Sequence, residues 1–205
     1  MSAGPGTGPD AGPHAGPDAD RLAAVVREVE LHASRAGWDQ PAQLFALVDT
    51  AELAQREPQL AAMLGADEPG SAGSLTPVEQ ETSGDSLEEL LPRIVWPPEV
   101  AGCAVVLEAT TLPPEAGALP EDPTAAEDLA ARASSDPDRE EARVVAGVLR
   151  SGEAWCAVRQ RSHDEDDLVL TGSDLVPALL QLLHTTLDPA LAADPDDGES
   201  PTPDE

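Results

Sequence analysis

The densest run of side chains that could do chemistry is 163–167, one histidine followed by four acidic residues. A calcium loop of the helix–loop–helix type needs oxygen donors at alternate positions, a central glycine and a closing glutamate at position twelve. Counted from Asp164, position five is Leu168 and position twelve is Leu175. Because adjacent carboxylates also point in different directions, we expect a solvated acidic turn and no metal site.

Cysteine and histidine offer the next candidates. Cys103 and Cys156 each lie in a predicted apolar strand, whereas a nucleophilic thiol needs a nearby base and a depressed pKa. No histidine is close to either cysteine in sequence; the four are His14, His32, His163 and His184. We therefore expect buried free thiols and histidines with structural or surface roles.

Sequence motifs of catalysis and cofactor binding are absent. The chain has no G-x-S-x-G elbow, no G-x-G-x-x-G fingerprint and no P-loop. The sequence therefore predicts no catalytic, cofactor-binding or metal-ligating residue, and no cofactor. An enzyme or enzyme subunit remains the alternative, because the many carboxylates and the histidines can assemble a site that spacing does not reveal.

The charge balance restricts the partners. The 205 residues include 40 acidic and 11 basic side chains, giving a formal net charge of −29. Such a chain repels nucleic-acid phosphate and anionic lipid and favours basic partners. The low cysteine count and the lack of a signal-peptide pattern or a long apolar run predict a cytoplasmic location.

Composition divides the chain into one domain and two tails. Residues 1–19 repeat glycine, proline and aspartate, and residues 190–205 are rich in aspartate, proline, serine and threonine. Both are predicted to be disordered, because they carry little apolar surface to bury. A single domain is expected at 20–189, with surface loops at about 65–86 and 113–138, the second with a candidate helix at 124–134.

Apolar periodicity predicts the elements of the first half. A helix is expected from about 21 to 36, with Asp20 as its N-cap and Gly37 after its end. Its apolar stripe is Leu22, Val25, Val26, Val29 and Ala33. A buried strand at 43–49, a short helix at 50–54, a short turn or helix at 58–64 and a candidate helix at 87–91 complete this half.

In the second half a strand is predicted at 103–112 and a hairpin at 143–150 and 153–161. A two-residue loop, Ser151-Gly152, would place Gly147 opposite Cys156 and Arg150 opposite Glu153. Residues 136–146 fit either a helix after Asp136-Pro137 or a strand. The predicted fold is α+β: a mainly antiparallel sheet of about four strands with helices packed on one face.

The last predicted helix, 173–187 with Ser173 as its cap, is apolar around more than half of its circumference. We predict that part of it contacts a protein partner or a second copy of the chain. The loops at 65–86 or 113–138 could cover it instead. Trp96, which precedes two prolines, is either a core-capping residue or part of a docking surface. The predicted contact residues are Val176, Leu180, Leu187 and Trp96.

Five segments are distinctive when taken together: GWDQP at 37–41, QLFALVDTAEL at 43–53, LTPVEQE at 75–81, 87–108 from LEELLP to VVLE, and 136–180 from DPDREE to VPALL. Together they resemble a family of conserved hypothetical proteins of actinobacteria, small and acidic, with a variable Pro/Gly-rich start. The resemblance spans roughly residues 21–187 and implies a single-domain cytoplasmic actinobacterial protein. It brings no activity and no site residues, so a non-enzymatic protein-binding or adaptor module is the preferred hypothesis.

Overall fold

A computed structural model describes residues 16–65, 73–82, 87–111 and 140–188. The regular elements are α1 (Pro17–Arg35), β1 (Gln43–Asp49), α2 (Thr50–Arg56), α3 (Pro58–Met63), β2 (Leu75–Gln80), α4 (Leu87–Leu90), a 3-10 turn (Leu91–Arg93), β3 (Val100–Thr111), β4 (Glu140–Leu149), β5 (Ala154–Gln160), a second 3-10 turn (Arg161–His163), β6 (Leu170–Gly172) and α5 (Pro177–Thr186). The candidate helix at 124–134 and most of both predicted tails lie outside the described residues.

The sheet is antiparallel throughout, with strand order β2-β1-β3-β4-β5-β6. The α+β class is confirmed, but the prediction of about four strands was too low. The two additional strands are both edge strands. β2 lies inside the predicted loop 65–86 and contains Pro77, and β6 has only three residues. Proline and short length are typical of edge strands, and they weaken the sequence signal of a strand.

Helix α1 packs on one face of the sheet. The predicted stripe is buried in full, in one cluster with Phe45, Leu47, Ala104 and Val145 from three strands. The helix begins at Pro17, four residues before the predicted start, and Asp20 lies within its first turn instead of capping it. Proline at the first helical position has its φ already set for a helix, which explains the earlier start.

Helices also cover the opposite face, so the prediction of helices on one face only was wrong. There α5, α4 and the 3-10 turn bury a second cluster with Leu44, Cys103, Val105 and Ala146. Alternate residues of each strand therefore enter different cores. This arrangement explains why β3 and β4 are apolar on both faces.

The β4–β5 hairpin turns through three residues, not the predicted two. Leu149 N donates to Glu153 O at 2.9 Å, and Gly152, with φ of 103°, occupies the left-handed region that favours glycine. The register consequently shifts by one, so that Gly147 lies opposite Trp155 instead of the predicted Cys156. A single residue added to a turn changes every cross-strand pair that follows.

The structure decides one open alternative and changes one boundary of the sequence analysis. Residues 140–146 belong to β4, which decides for a strand in that range. Helix α5 begins at Pro177, with Val176 at the N-cap position, and not after Ser173. Proline cannot supply the N–H that the interior of a helix needs, but it fits the first turn, so the helix begins at Pro177. Residues 173–176, which the sequence analysis placed in the helix, connect β6 to α5.

Candidate functional site

Strand β6 forms one edge of the described sheet. On its inner side β6 pairs with β5, which places Leu170 opposite Val158 and Gly172 opposite Cys156. On its outer side no strand pairs with it within the described ranges. An edge strand presents main-chain N–H and C=O groups to other chains. At the opposite edge, Pro77 of β2 has no N–H to donate, so the β6 edge is better suited to pairing.

Large apolar side chains are exposed beside this edge. Leu168, Leu170 and Leu175 are 43%, 55% and 42% exposed, respectively. Leu170 lies on the face of the sheet that α5 covers. Leu175 packs over Gly172 on that face, since a Cβ at Gly172 would lie 3.3 Å from Leu175 Cδ2. We call Leu168, Leu170 and Leu175 the edge patch.

Residues 164–167, the acidic loop, lie immediately before the edge patch. Asp164 Oδ1 accepts a hydrogen bond from Arg159 Nη1 at 3.2 Å, and Asp166 Oδ1 accepts one from Arg159 Nη2 at 2.8 Å. The loop was expected to be a solvated turn. Its side chains are exposed, but two of its four carboxylates are anchored to a single arginine, and Glu165 and Asp167 extend the negative surface.

That arginine connects the loop to the protein interior. Arg159 is only 2% exposed and binds the fully buried Glu30 of α1 through two bonds, Nε to Oε1 at 2.6 Å and Nη2 to Oε2 at 3.0 Å. Its hydrogen bond with Glu30 is the main reason that the pKa of Arg159 is raised. A buried charge is tolerated when it is paired and hydrogen-bonded in this way. The acidic loop is therefore held against the α1 side of the sheet.

Trp38 lies next to the same loop. Its Nε1 donates to Asp164 Oδ2 at 2.9 Å, and the guanidinium groups of Arg143 and Arg161 lie 4.4 and 5.4 Å from its ring centroid. Arg161 also binds both oxygens of Asp39, and this bond lowers the pKa of Asp39. Trp38 is thus in contact with a charged group of side chains. The bond from Trp38 holds Asp164, the first residue of the acidic loop, in place.

The four predicted contact residues lie elsewhere, on the α5 side. Leu180, Leu187 and Trp96 are at most 7% exposed and belong to the core, and Val176 packs against that core while half-buried. Trp96 Nε1 donates to Thr186 Oγ1 at 3.0 Å. The chain itself thus covers these side chains, and a partner contact through them remains an untested prediction.

Arg150 donates hydrogen bonds to main-chain carbonyl groups near Trp96 and at the end of α5. Its Nε donates to Val100 O at 2.8 Å, its Nη2 donates to Trp96 O at 2.9 Å, and its Nη1 donates to Leu187 O at the end of α5. A cation at a helix C-terminus is favourable because carbonyl oxygens there lack intrahelical partners. The cross-hairpin pair of Arg150 with Glu153 that the sequence suggested does not form in the shifted register.

The cysteines have none of the features of a nucleophile. Both are fully buried. Burial raises the pKa of the Cys103 thiol to about 12, and Cys103 Sγ lies 3.7 Å from Thr186 Oγ1. Burial also raises the pKa of Cys156. A raised pKa suppresses the thiolate, which is the reactive form.

Away from the edge, a hollow lies on the exposed side of α1. Its volume is about 380 Å³, and its lining includes Arg27, Glu28, His32 and Arg35. Among the described residues there is no group of three or more histidine, cysteine or acidic side chains that could hold a metal ion. No described helix has the length and apolarity needed to cross a membrane.

The family model of PPA1309-like proteins matches residues 22–188, most of the chain. The chain belongs to this family. The match is consistent with the conserved hypothetical family that the sequence segments suggested, while the actinobacterial origin remains a prediction. The PPA1309-like match includes the edge patch, the acidic loop and their anchors on α1. Neither a curated protein nor a solved structure matches the chain.

Sequence reasoning missed the anchoring pair of this PPA1309-like domain. Glu30 and Arg159 are 129 positions apart, so spacing cannot bring them together. One signal was present: Glu30 follows Val29 and precedes Ala33 by three positions, which places it on the buried stripe of α1. A carboxylate at such a position predicts a buried cationic partner, although it does not identify which one.

Proposed function

We propose that this protein is a non-enzymatic, cytoplasmic protein-binding module that contacts its partner through the edge patch and the acidic loop. The observation that supports this most directly is three exposed leucines beside a sheet edge with which no strand of the described residues pairs. Soluble proteins seldom leave such side chains together without an interaction to cover them. The buried Glu30–Arg159 pair adds rigidity, because it holds the acidic loop in place before a partner binds.

Charge supports a basic protein as the partner. The acidic loop contributes Asp164, Glu165, Asp166 and Asp167, in a chain whose net charge is −29. A second copy brings the same negative surface, and so do nucleic acid and anionic lipid, so the same argument opposes all three. Lysine or arginine side chains on a partner would be attracted to the loop and would approach the leucines.

Site-specific crosslinking tests this proposal. A photoreactive amino acid placed at Leu170 should crosslink a basic protein in cells, which mass spectrometry identifies. The matched control is Met63, which is 84% exposed and distant in the chain. Added as a second change, Leu175→Asp should abolish the crosslink while circular dichroism shows a folded domain. Equal capture at both positions, or no capture at Leu170, would count against the proposal.

The alternative is an enzyme that uses the hollow on α1. The presence there of His32 beside Glu28 and two arginines favours this hypothesis, since such groups can bind and protonate an anionic substrate. A His32→Ala variant discriminates the two cases. If the His32→Ala protein no longer supports its cellular function while crosslinking at Leu170 is unchanged, the enzyme hypothesis is favoured.

A further inference from the structure

We infer that the partner of the edge patch is an extended basic segment that pairs with β6 as a seventh strand of the sheet. This inference rests on the proposed function and specifies its recognition mode. Leu170–Gly172 pairs with β5 on one side only within the described part of the chain. A strand added there would take main-chain hydrogen bonds from the free side of β6.

The two faces of the sheet differ at this edge, and the difference determines which side chains the segment needs. On the α5 face, Leu170 and Leu175 present exposed apolar surface. On the α1 face lies the acidic loop, because Arg159 joins it to Glu30 of α1 and Arg27 of α1 reaches Asp166 O at 3.5 Å. One edge thus separates an apolar surface from an anionic one.

An extended strand matches this division. Successive side chains of a strand point to opposite faces, so one set of alternate residues would meet the leucines and the other set would meet the carboxylates. The segment that fits therefore alternates aliphatic and basic residues. A second copy of β6 lacks basic side chains, since Leu170, Thr171 and Gly172 carry none, and it is preceded by the acidic loop. The charge pattern therefore favours a foreign segment over self-pairing.

Synthetic peptides of about eight residues test the inference against the whole protein. The probe alternates lysine and valine, with both ends blocked. One control has the same composition in two blocks, and another replaces lysine with glutamate. We expect the probe to bind about tenfold more tightly than the block control, because only the alternating peptide directs its valines to the leucines and its lysines to the carboxylates at the same time. Binding should weaken as salt rises.

Main-chain pairing is tested with two methylated probes. One is N-methylated at every lysine and the other at every valine, which removes the N–H donors from one or the other edge of the strand. We expect the segment to pair antiparallel with β6, as neighbouring strands do throughout the described sheet. That direction, with the valines toward the leucines, fixes which edge of the peptide faces β6, so one methylated probe should lose about tenfold in affinity and the other should not. The unmethylated probe should also slow amide hydrogen exchange at Leu170–Gly172.

Equal affinity of the probe and the block control, or of the two methylated probes, overturns the inference, as does a failure of every peptide to bind. If crosslinking at Leu170 still captures a basic protein in any of these cases, the proposed function stands and only the strand-pairing mode is lost. If that crosslink is also absent, both fail.

Discussion

Glu30 and Arg159 form a two-bond ion pair that is closed to solvent, with Glu30 fully buried and Arg159 only 2% exposed. The same guanidinium extends outward to Asp164 and Asp166. The pair therefore has two roles, since it fixes α1 on the sheet and holds the acidic loop beside β6. Removing one partner of a buried pair strongly destabilises the folded protein when the other charge is left uncompensated.

We predict that Arg159→Met, which leaves the fully buried Glu30 without its cation, lowers the free energy of unfolding by about 3–5 kcal/mol. Glu30→Leu should lower it by less, because Arg159 keeps its bonds to Asp164 and Asp166. The double variant should lose clearly less than the sum, because it leaves no buried unpaired charge at this position. Urea denaturation measures all three. The matched control is Arg56→Met, whose exposed pair with Glu99 should contribute no more than about 1 kcal/mol. Additive losses at Glu30 and Arg159 would contradict the pairing.

How far the sequence predicts the structure depends on what each signal reports. Periodicity reports burial within one element, and it identified the whole stripe of α1 and the bounds of β1. It could not identify β2 and β6, because an edge strand with Pro77 or with three residues carries no long alternating pattern. The edge patch follows from β6, so the candidate site was missed together with its strand.

The predicted contact residues show a second limit, which concerns how much of an apolar helix the rest of the chain covers. The apolar content of the last predicted helix suggests a partner contact that includes Leu180 and Leu187, unless other parts of the chain cover the helix. The described fold buries both, because the segments around Trp96 and α4 cover the helix. Sequence indicates how apolar an element is, but the elements that cover it come from distant parts of the chain.

Gly147 should be intolerant of a side chain because of α1. A Cβ there would lie 2.8 Å from Val26 Cγ2, so Gly147→Ala should lower the free energy of unfolding by about 1–3 kcal/mol. Val26→Ala should relieve part of that loss, and Cys156→Ala should not, because Gly147 lies opposite Trp155. Rescue by the cysteine variant instead would mean that the hairpin has the two-residue loop.

The thiols should be protected to different degrees. With burial raising the pKa of Cys103 to about 12 and that of Cys156 above its usual value, neither should react readily with a thiol reagent at pH 8 in the native protein. Both should react in denaturant. Cys156, whose strand neighbour is the short β6, should react first as local opening begins, ahead of Cys103. Mass spectrometry of labelled peptides measures the order, and rapid labelling of Cys103 in native buffer would contradict its burial.

His184 should make the domain less stable in mild acid. It lies in the last turn of α5 and is half-buried, and burial lowers its pKa below the usual 6.5. As pH falls through the unfolded value, the unfolded chain binds a proton that the folded chain still refuses. The contribution of His184 to stability is therefore fully present above about pH 6.5, declines below it and levels off once the folded pKa is passed. Urea denaturation at about half-unit steps from about pH 7.5 to about pH 5 should show a steeper decline in stability for the native sequence than for His184→Gln. Titration of the His184 ring by NMR should give the lowered pKa directly. Identical pH slopes for the two proteins, or a ring pKa above the usual value, would show that α5 does not shield this side chain from water.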